Sequence, residues 1–134
     1  MQRIWLIGAV ALGLMLGGQL GFAGAQNPAK PKKLNPYTGN LKAIEEGRKL
    51  YPYFGCDACH GAQGGGGMAP GVPLLDDYWW FGSDDETLLK LIRGEIPGQK
   101  MPAYTKEDIT EDQLWTVLAF TRSLYKGDPS RIDW

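Results

Sequence analysis

The stretch Cys56-Asp57-Ala58-Cys59-His60 is the most informative part of this chain. Two cysteines separated by two residues and followed directly by a histidine form the C-x-x-C-H pattern of covalent c-type haem attachment. The thiols can form thioethers with the porphyrin vinyl groups, and the imidazole can bind the iron. The 134 residues include two cysteines and one histidine in all, so no other residue of these types competes for the roles.

Other uses of these residues fit less well. A structural zinc site needs four ligands, so a carboxylate such as that of Asp57 would have to complete it. A thioredoxin-type redox pair lies next to a βαβ pattern, which the sequence around the motif does not resemble. A disulfide between Cys56 and Cys59 would close a very short loop and stabilise the fold little.

The first 25 residues have the pattern of an export signal. Arg3 gives a positive start, residues 4–16 are apolar, and Ala23-Gly24-Ala25 resembles a cleavage site. We predict cleavage after Ala25 and a periplasmic protein. In the alternative, residues 4–25, which are long enough to span a bilayer, remain as a membrane anchor.

Residues 26–134 are long enough for one compact domain. Residues 26–39 contain three prolines and are interpreted as an extended linker, residues 40–134 as the domain. We expect a monomer. The formal net charge is −1 for the whole chain and −2 once Arg3 is removed with the signal. Nucleic-acid binding needs a strongly basic face, so nucleic acid is excluded as a partner.

The pattern of the domain predicts an all-α fold. Three helices are expected, from Asn40 to Tyr51 where Pro52 ends the helix, from Ser83 to Gly94, and from Thr110 to Lys126 with Gly127 as terminator. Capping boxes are predicted at Ser83 with Glu86 and at Thr110 with Gln113. Gly47 costs about 1 kcal/mol relative to alanine inside a helix, so we expect another helix to approach it. The long loops between the helices are expected to wrap around one haem, because small domains seldom carry such loops bare.

The second position on the iron must go to a remote residue or stay open. Met68 lies eight residues after His60, a path of at most about 26 Å when fully extended, so it would have to round the porphyrin edge with almost no slack. Met101 lies beyond a predicted helix, and Pro102 favours an extended backbone there. We therefore predict His60 and Met101 as the iron ligands.

Ligation by histidine and methionine indicates an electron carrier rather than an enzyme. Both axial positions are filled, and the thioether raises the reduction potential. A haem enzyme would need a further acid–base group beside an open face, and the chain has no second histidine. A small haem enzyme and a gas or redox sensor remain as less favoured alternatives.

The chain resembles the class I cytochromes c over residues 40–126. The resemblance rests on Gly47, Tyr51, the C-x-x-C-H motif, Met101-Pro102 and Phe120. It implies the class I cytochrome c fold, with the terminal helices crossing at Gly47 and Phe120. It also implies that a proline carbonyl accepts a hydrogen bond from His60, with Pro73 as the best match and Pro70 as the alternative.

A narrower resemblance concerns cytochromes that serve quinoprotein (PQQ) alcohol dehydrogenases, including the cytochrome c-L group. It rests on the stretches at residues 35–40, 64–70 and 76–82. It implies a quinoprotein alcohol dehydrogenase as electron donor and a terminal oxidase or second cytochrome as acceptor. The alternative is a general respiratory cytochrome that links a membrane complex to an oxidase or reductase.

Overall fold

The computed structural model describes residues 33–67 and 71–132, and in these ranges it contains helices and no strand. The elements are α1 (Leu41–Tyr53), α2 (Cys56–His60), α3 (Asp85–Ile92), α4 (Glu111–Leu124) and a 3₁₀ turn (Pro129–Arg131). The all-α prediction is confirmed. The predicted signal segment, Met68 and Pro70 lie outside the described residues. None of the described helices has the length and apolarity needed to cross a membrane.

Helices α1 and α4 cross in direct contact at Gly47, as predicted. A Cβ added to Gly47 would overlap the carbonyl oxygen of Thr116 and lie 2.9 Å from Cβ of Phe120. One helical turn further along α1, the Tyr51 ring packs edge-on against Phe120, with 5.3 Å between the ring centroids. Tyr51 is 1% exposed. The crossing thus forms the centre of the core and fixes the start of the segment that leads to Cys56.

Helix α1 begins as predicted and ends later than predicted. The Asn40 side chain accepts hydrogen bonds from the backbone N–H groups of Lys42 and Ala43. Pro52 does not stop the helix, which continues to Tyr53. Proline removes one backbone donor, and in the last turn of a helix that loss does not prevent the remaining residues from keeping helical geometry.

The predicted capping box at Ser83 is wrong. The cap of α3 is Asp84, whose carboxylate accepts from the backbone N–H of Thr87 at 3.0 Å and from the Thr87 hydroxyl at 2.7 Å. Ser83 instead lies in the interior, where its carbonyl oxygen accepts from the guanidinium of Arg122. A carboxylate at the N-cap also interacts favourably with the helix dipole.

Of the three helix ends that remain, two agree with the prediction and one does not. Gly94, which follows the C-cap Arg93 of α3, is left-handed with φ of 76°, and the capping box of Thr110 and Gln113 begins α4. Helix α4 ends at Leu124, however, and Gly127 does not adopt the left-handed conformation. A side chain at Gly127 would collide with the carboxylate of Asp77, so this glycine permits a close approach of two segments.

The start of the described chain is held on the domain. Asn35 is 6% exposed. Its backbone N–H donates to Asp85 Oδ2 at 2.9 Å, and its side-chain Nδ2 donates to the carbonyl oxygen of Trp115 at 2.8 Å. Residues 33–40, here called the N-terminal strap, therefore connect to α3 and α4 although they belong mostly to the segment predicted to be a linker.

Candidate cofactor site

A cavity of about 300 Å³ brings together the four residues predicted to hold a haem and its iron. Cys56, Cys59, His60 and Met101 all line it, although His60 and Met101 are 41 residues apart in the sequence. The rest of the lining is mainly apolar and aromatic and comes from α1, α3, α4 and the loops between them. Concave apolar sites with few polar groups are typical of cofactor binding.

Helix α2 places the two thiols and the imidazole on one short turn of chain. Gly55, with φ of 73°, turns the backbone sharply between α1 and α2. Residues three apart in a helix lie on the same face, so Cys56 and Cys59 both reach the cavity. The two cysteines form no disulfide with each other, and burial raises the pKa of the Cys56 thiol to about 11.

The imidazole of His60 is held by a backbone carbonyl, but not by the predicted one. Its Nδ1 lies 2.8 Å from the carbonyl oxygen of Val72, so the assignment to Pro73 is wrong by one residue. Pro73 restricts the preceding residue to an extended backbone, and the accepting carbonyl belongs to the peptide bond that joins Val72 to Pro73. With Nδ1 engaged, Nε2 is the nitrogen left to bind a metal.

Gly71 allows this segment to pass close to α2. An added Cβ would lie 2.9 Å from Cβ of Cys59 and would overlap its carbonyl group. The sequence contains many glycines near this point, and no pattern distinguished Gly71 from the others. The lack of a side chain at Gly71 thus leaves room for α2 beside the residue whose carbonyl contacts His60.

The loop that carries Met101 is fixed by Gln99, which sequence reasoning missed. The Gln99 amide nitrogen donates to the carbonyl oxygens of Leu91 at 2.7 Å and of Met101 at 3.0 Å. Its amide oxygen accepts from the backbone N–H of Ile96 at 3.1 Å. One side chain thus ties the loop to α3 and holds the backbone at Met101. Lys100 and Pro102 also line the cavity.

Aromatic residues 78–81 form one wall of the cavity. Tyr78, Trp80 and Phe81 are exposed, while the indole Nε1 of Trp79 is buried without a hydrogen-bond acceptor in the described part of the chain. A buried donor without a partner costs free energy. The site therefore fits a group that is apolar over most of its surface and also carries acceptor atoms.

A metal site made only of protein side chains receives no support. Within residues 33–67 and 71–132, no group of three or more His, Cys, Asp or Glu side chains is arranged to hold a metal ion. Structural zinc needs four such ligands. The zinc interpretation of the C-x-x-C-H motif is therefore not supported by the geometry.

The chain matches a family of known proteins over most of the described domain. Residues 42–120 match the family described as cytochrome C oxidase, cbb3-type, subunit III. The matched range extends from the start of α1 into α4 and includes His60 and Met101.

Two curated relatives agree with this match. The chain is 31% identical to cytochrome c-L of Methylorubrum extorquens over 117 residues, which cover 83% of this chain and 57% of that protein. It is 35% identical to the cbb3-type cytochrome c oxidase subunit CcoP of Azospirillum brasilense over 78 residues, or 54% of this chain and 26% of that protein. The chain thus spans between about a quarter and three fifths of the length of these relatives.

Two solved structures have the same architecture. Cytochrome cL from Methylophaga aminisulfidivorans superimposes with a TM-score of 0.65 and 28% identity, covering 75% of this chain and 68% of that one. Cytochrome cL from Hyphomicrobium denitrificans gives a TM-score of 0.60 and 27% identity, covering 74% of this chain and 57% of that one.

Proposed function

This chain belongs to the family matched over residues 42–120 and is a class I c-type cytochrome with a covalently bound haem c, and we propose that it carries single electrons between two redox proteins in the periplasm. The observation that carries the proposal is the shared cavity of Cys56, Cys59, His60 and Met101. Haem supplies a reversible one-electron change at iron. The protein supplies attachment, axial ligands and an apolar enclosure.

We assign one role to each of the four residues. Cys56 and Cys59 would form the two thioethers, His60 would bind iron through Nε2, and Met101 would bind it through sulfur. The hydrogen bond from Nδ1 to Val72 keeps the His60 ring in one orientation and increases the basicity of Nε2. With His60 and Met101 both bound to the iron, oxygen and peroxide would find no open coordination site.

For the donor we propose a quinoprotein alcohol dehydrogenase, and for the acceptor a terminal oxidase or a second cytochrome. The similarity to cytochrome c-L and the narrower sequence resemblance support the donor. The similarity to an oxidase subunit, CcoP, favours the second candidate, a general respiratory cytochrome linking a membrane complex to an oxidase or reductase.

The exposed aromatic residues offer a contact surface beside the cofactor. Tyr78 is 67% exposed, Trp80 58% and Phe81 40%, and all three line the cavity. Aromatic side chains are enriched in protein interfaces. A partner seated on this surface would approach the cavity directly, so we place electron transfer at this edge. Lys100, which also lines the cavity, gives that contact a dependence on salt.

We place the protein in the periplasm, with the signal removed after Ala25. The support is the sequence pattern of residues 1–25 and the similarity to cytochrome c-L. Retention of residues 4–25 as an anchor would keep the same domain on the same side of the membrane.

Stopped-flow reduction by a purified quinoprotein alcohol dehydrogenase tests the donor. We expect fast reduction that slows as ionic strength rises, and Trp80→Ala should slow it without changing the visible spectrum. Glu46→Ala, an exposed change on α1, is the matched control. Slow reduction that is indifferent to salt would rule out this donor and favour the general respiratory role.

Carbon monoxide binding to the reduced protein tests whether the protein is an electron carrier at all, since a six-coordinate carrier should bind it poorly.

A further inference from the structure

The carboxylate of Asp77 binds donors from the segment that follows α4. Its Oδ1 accepts from the Tyr125 hydroxyl and, at 3.2 Å, from the backbone N–H of Asp128, and its Oδ2 accepts from the Arg131 guanidinium at 2.6 Å. Hydrogen bonds to an ionised group are stronger than those between neutral groups. Gly127 leaves room for this arrangement, because an added Cβ would overlap the Asp77 carboxylate. A loop residue is therefore held by a segment about 50 residues further along the chain.

Asp77 lies directly before the aromatic residues 78–81 that form one wall of the cavity. Tyr78 and Trp80 are mostly exposed, whereas Trp79 between them packs against the cluster of Leu88, Trp115 and Leu118. Exposed loop residues with few buried contacts are the mobile parts of a protein. The position of the Tyr78 backbone is thus set by its two neighbours, Asp77 on one side and Trp79 on the other.

The neighbouring acid, Asp76, makes a different kind of contact. Its Oδ1 accepts from the backbone N–H of Tyr78 at 3.0 Å, within the loop itself. An asparagine oxygen could accept the same bond. Asp76 and Asp77 therefore carry the same charge in the same loop, but the bonds of Asp77 described above reach the segment after α4.

We propose that Asp77 is a positioning residue for electron transfer, which holds Tyr78 and Trp80 in the arrangement that a redox partner recognises. This inference rests on the proposed function, in which the partner sits on these exposed aromatic residues. A surface that is already ordered loses less conformational entropy when a partner binds. Asp77 acts through the aromatic residues and needs no contact of its own with the partner or the haem.

Stopped-flow reduction of two variants separates positioning from charge. Asp77→Asn and Arg131→Gln both remove the ion pair, but one removes a negative charge and the other a positive charge. We expect both to slow reduction by a purified quinoprotein alcohol dehydrogenase about tenfold, within the range over which association rates vary among variants of one interface. Reduction by ascorbate and the midpoint potential should stay as in the unchanged protein. Rate changes of opposite sign in the two variants would show an effect of charge alone and overturn the proposal.

Asp76→Asn is the matched control. It removes the same charge one residue earlier and keeps an acceptor for the Tyr78 N–H, so the rate should stay close to that of the unchanged protein. Equal slowing by Asp76→Asn and Asp77→Asn would also overturn the proposal.

Hydrogen exchange measured by mass spectrometry tests the inference without a partner. In the holoprotein, the backbone amides of residues 78–81 should exchange faster in Asp77→Asn and in Arg131→Gln than in the unchanged protein. Equal exchange would overturn the inference and leave the electron-carrier function intact. Failure of the dehydrogenase to reduce the unchanged protein would instead contradict the proposed donor. The rates would then be compared in electron self-exchange between two copies of the protein, where equal rates in all variants would overturn the inference.

Discussion

Asp85 and Arg122 form an ion pair in the interior, with Nη2 and Oδ1 2.7 Å apart and both side chains almost fully buried. The two residues are far apart in the sequence: Asp85 is the first residue of α3, and Arg122 lies near the end of α4. Asp85 also accepts a hydrogen bond from the backbone N–H of Asn35 in the N-terminal strap. Three segments therefore meet at one buried charge pair.

Removing one partner of this pair should be costly. Asp85→Ala leaves the Arg122 guanidinium buried without its carboxylate, and we expect the free energy of unfolding to fall by about 3–5 kcal/mol. Glu45→Ala is the control, because the ion pair of Glu45 with Arg48 is exposed to solvent and such pairs contribute little to stability. Urea unfolding of both holoproteins, followed by circular dichroism, gives the comparison. Equal losses would show that the pair is not a main support of the fold.

The helix crossing should not tolerate a methyl group at Gly47. Alanine would favour the isolated helix by about 1 kcal/mol, but overpacking against Phe120 and Thr116 costs about 1–3 kcal/mol. We expect Gly47→Ala to lower the melting temperature, whereas Glu46→Ala, one residue earlier and exposed, should change it little. An unchanged or higher melting temperature for Gly47→Ala would contradict this, because it would mean that the two helices move far enough apart to accommodate the methyl group without loss of stability.

Met101 should be the sulfur ligand of the iron. Met101→Ala is expected to abolish the weak sulfur-to-iron absorption band at the red end of the oxidised spectrum and to lower the midpoint potential, because the thioether favours the reduced state. Met68→Ala is the natural control and should retain both properties. Loss of the band in the Met68 variant alone would reverse the assignment.

Attachment of the haem should require the thiols of Cys56 and Cys59. We expect the double change to alanine to leave no haem that survives acid–acetone extraction.

Mass spectrometry of the unchanged protein should give the mass of residues 26–134 plus one haem. An intact Met1 in the membrane fraction would favour the anchored alternative.

Tyr125 should ionise only in strong alkali. Burial, and then its hydrogen bond to Asp77, raise the pKa of Tyr125 to about 12 from 10.0. The neutral phenol is thus favoured by the fold, and its contribution to stability is complete below pH 10 and disappears as the pH rises through about 12. In a spectrophotometric titration, Tyr125→Phe should show one tyrosine fewer than the unchanged protein among the tyrosines that ionise well above pH 10. Loss of a phenol that titrates near 10 would contradict the assignment.

Features that depend on short stretches of chain could be predicted from the sequence. The C-x-x-C-H motif, the Asn40 cap and the capping box at Thr110 each involve residues within one turn. The close helix contact at Gly47 was also predicted. Glycine destabilises a helix, so its presence inside one indicates a neighbouring element that leaves no room for a side chain.

Features that depend on distant partners could not be predicted in detail. Ser83 and Asp84 are both good cap residues, and the choice between them follows from Arg122, 39 residues away, which binds the Ser83 carbonyl. The prediction named the carbonyl of Pro73, whereas the structure has the carbonyl of the preceding residue, Val72, next to His60. The sequence does not reveal which carbonyl of a loop lies next to a given side chain.

The contact between Leu75 and Lys126 has a consequence for how the protein is made. The Lys126 N–H donates to the Leu75 carbonyl oxygen at 3.0 Å, and Arg131 pairs with Asp77 at 2.6 Å. The loop before the aromatic wall is therefore held by residues of the segment that follows α4. The five-residue attachment motif, by contrast, needs no distant residue and can be recognised in an unfolded chain. Haem can thus be attached before these long-range contacts form, and folding then closes the loop beside the attached group.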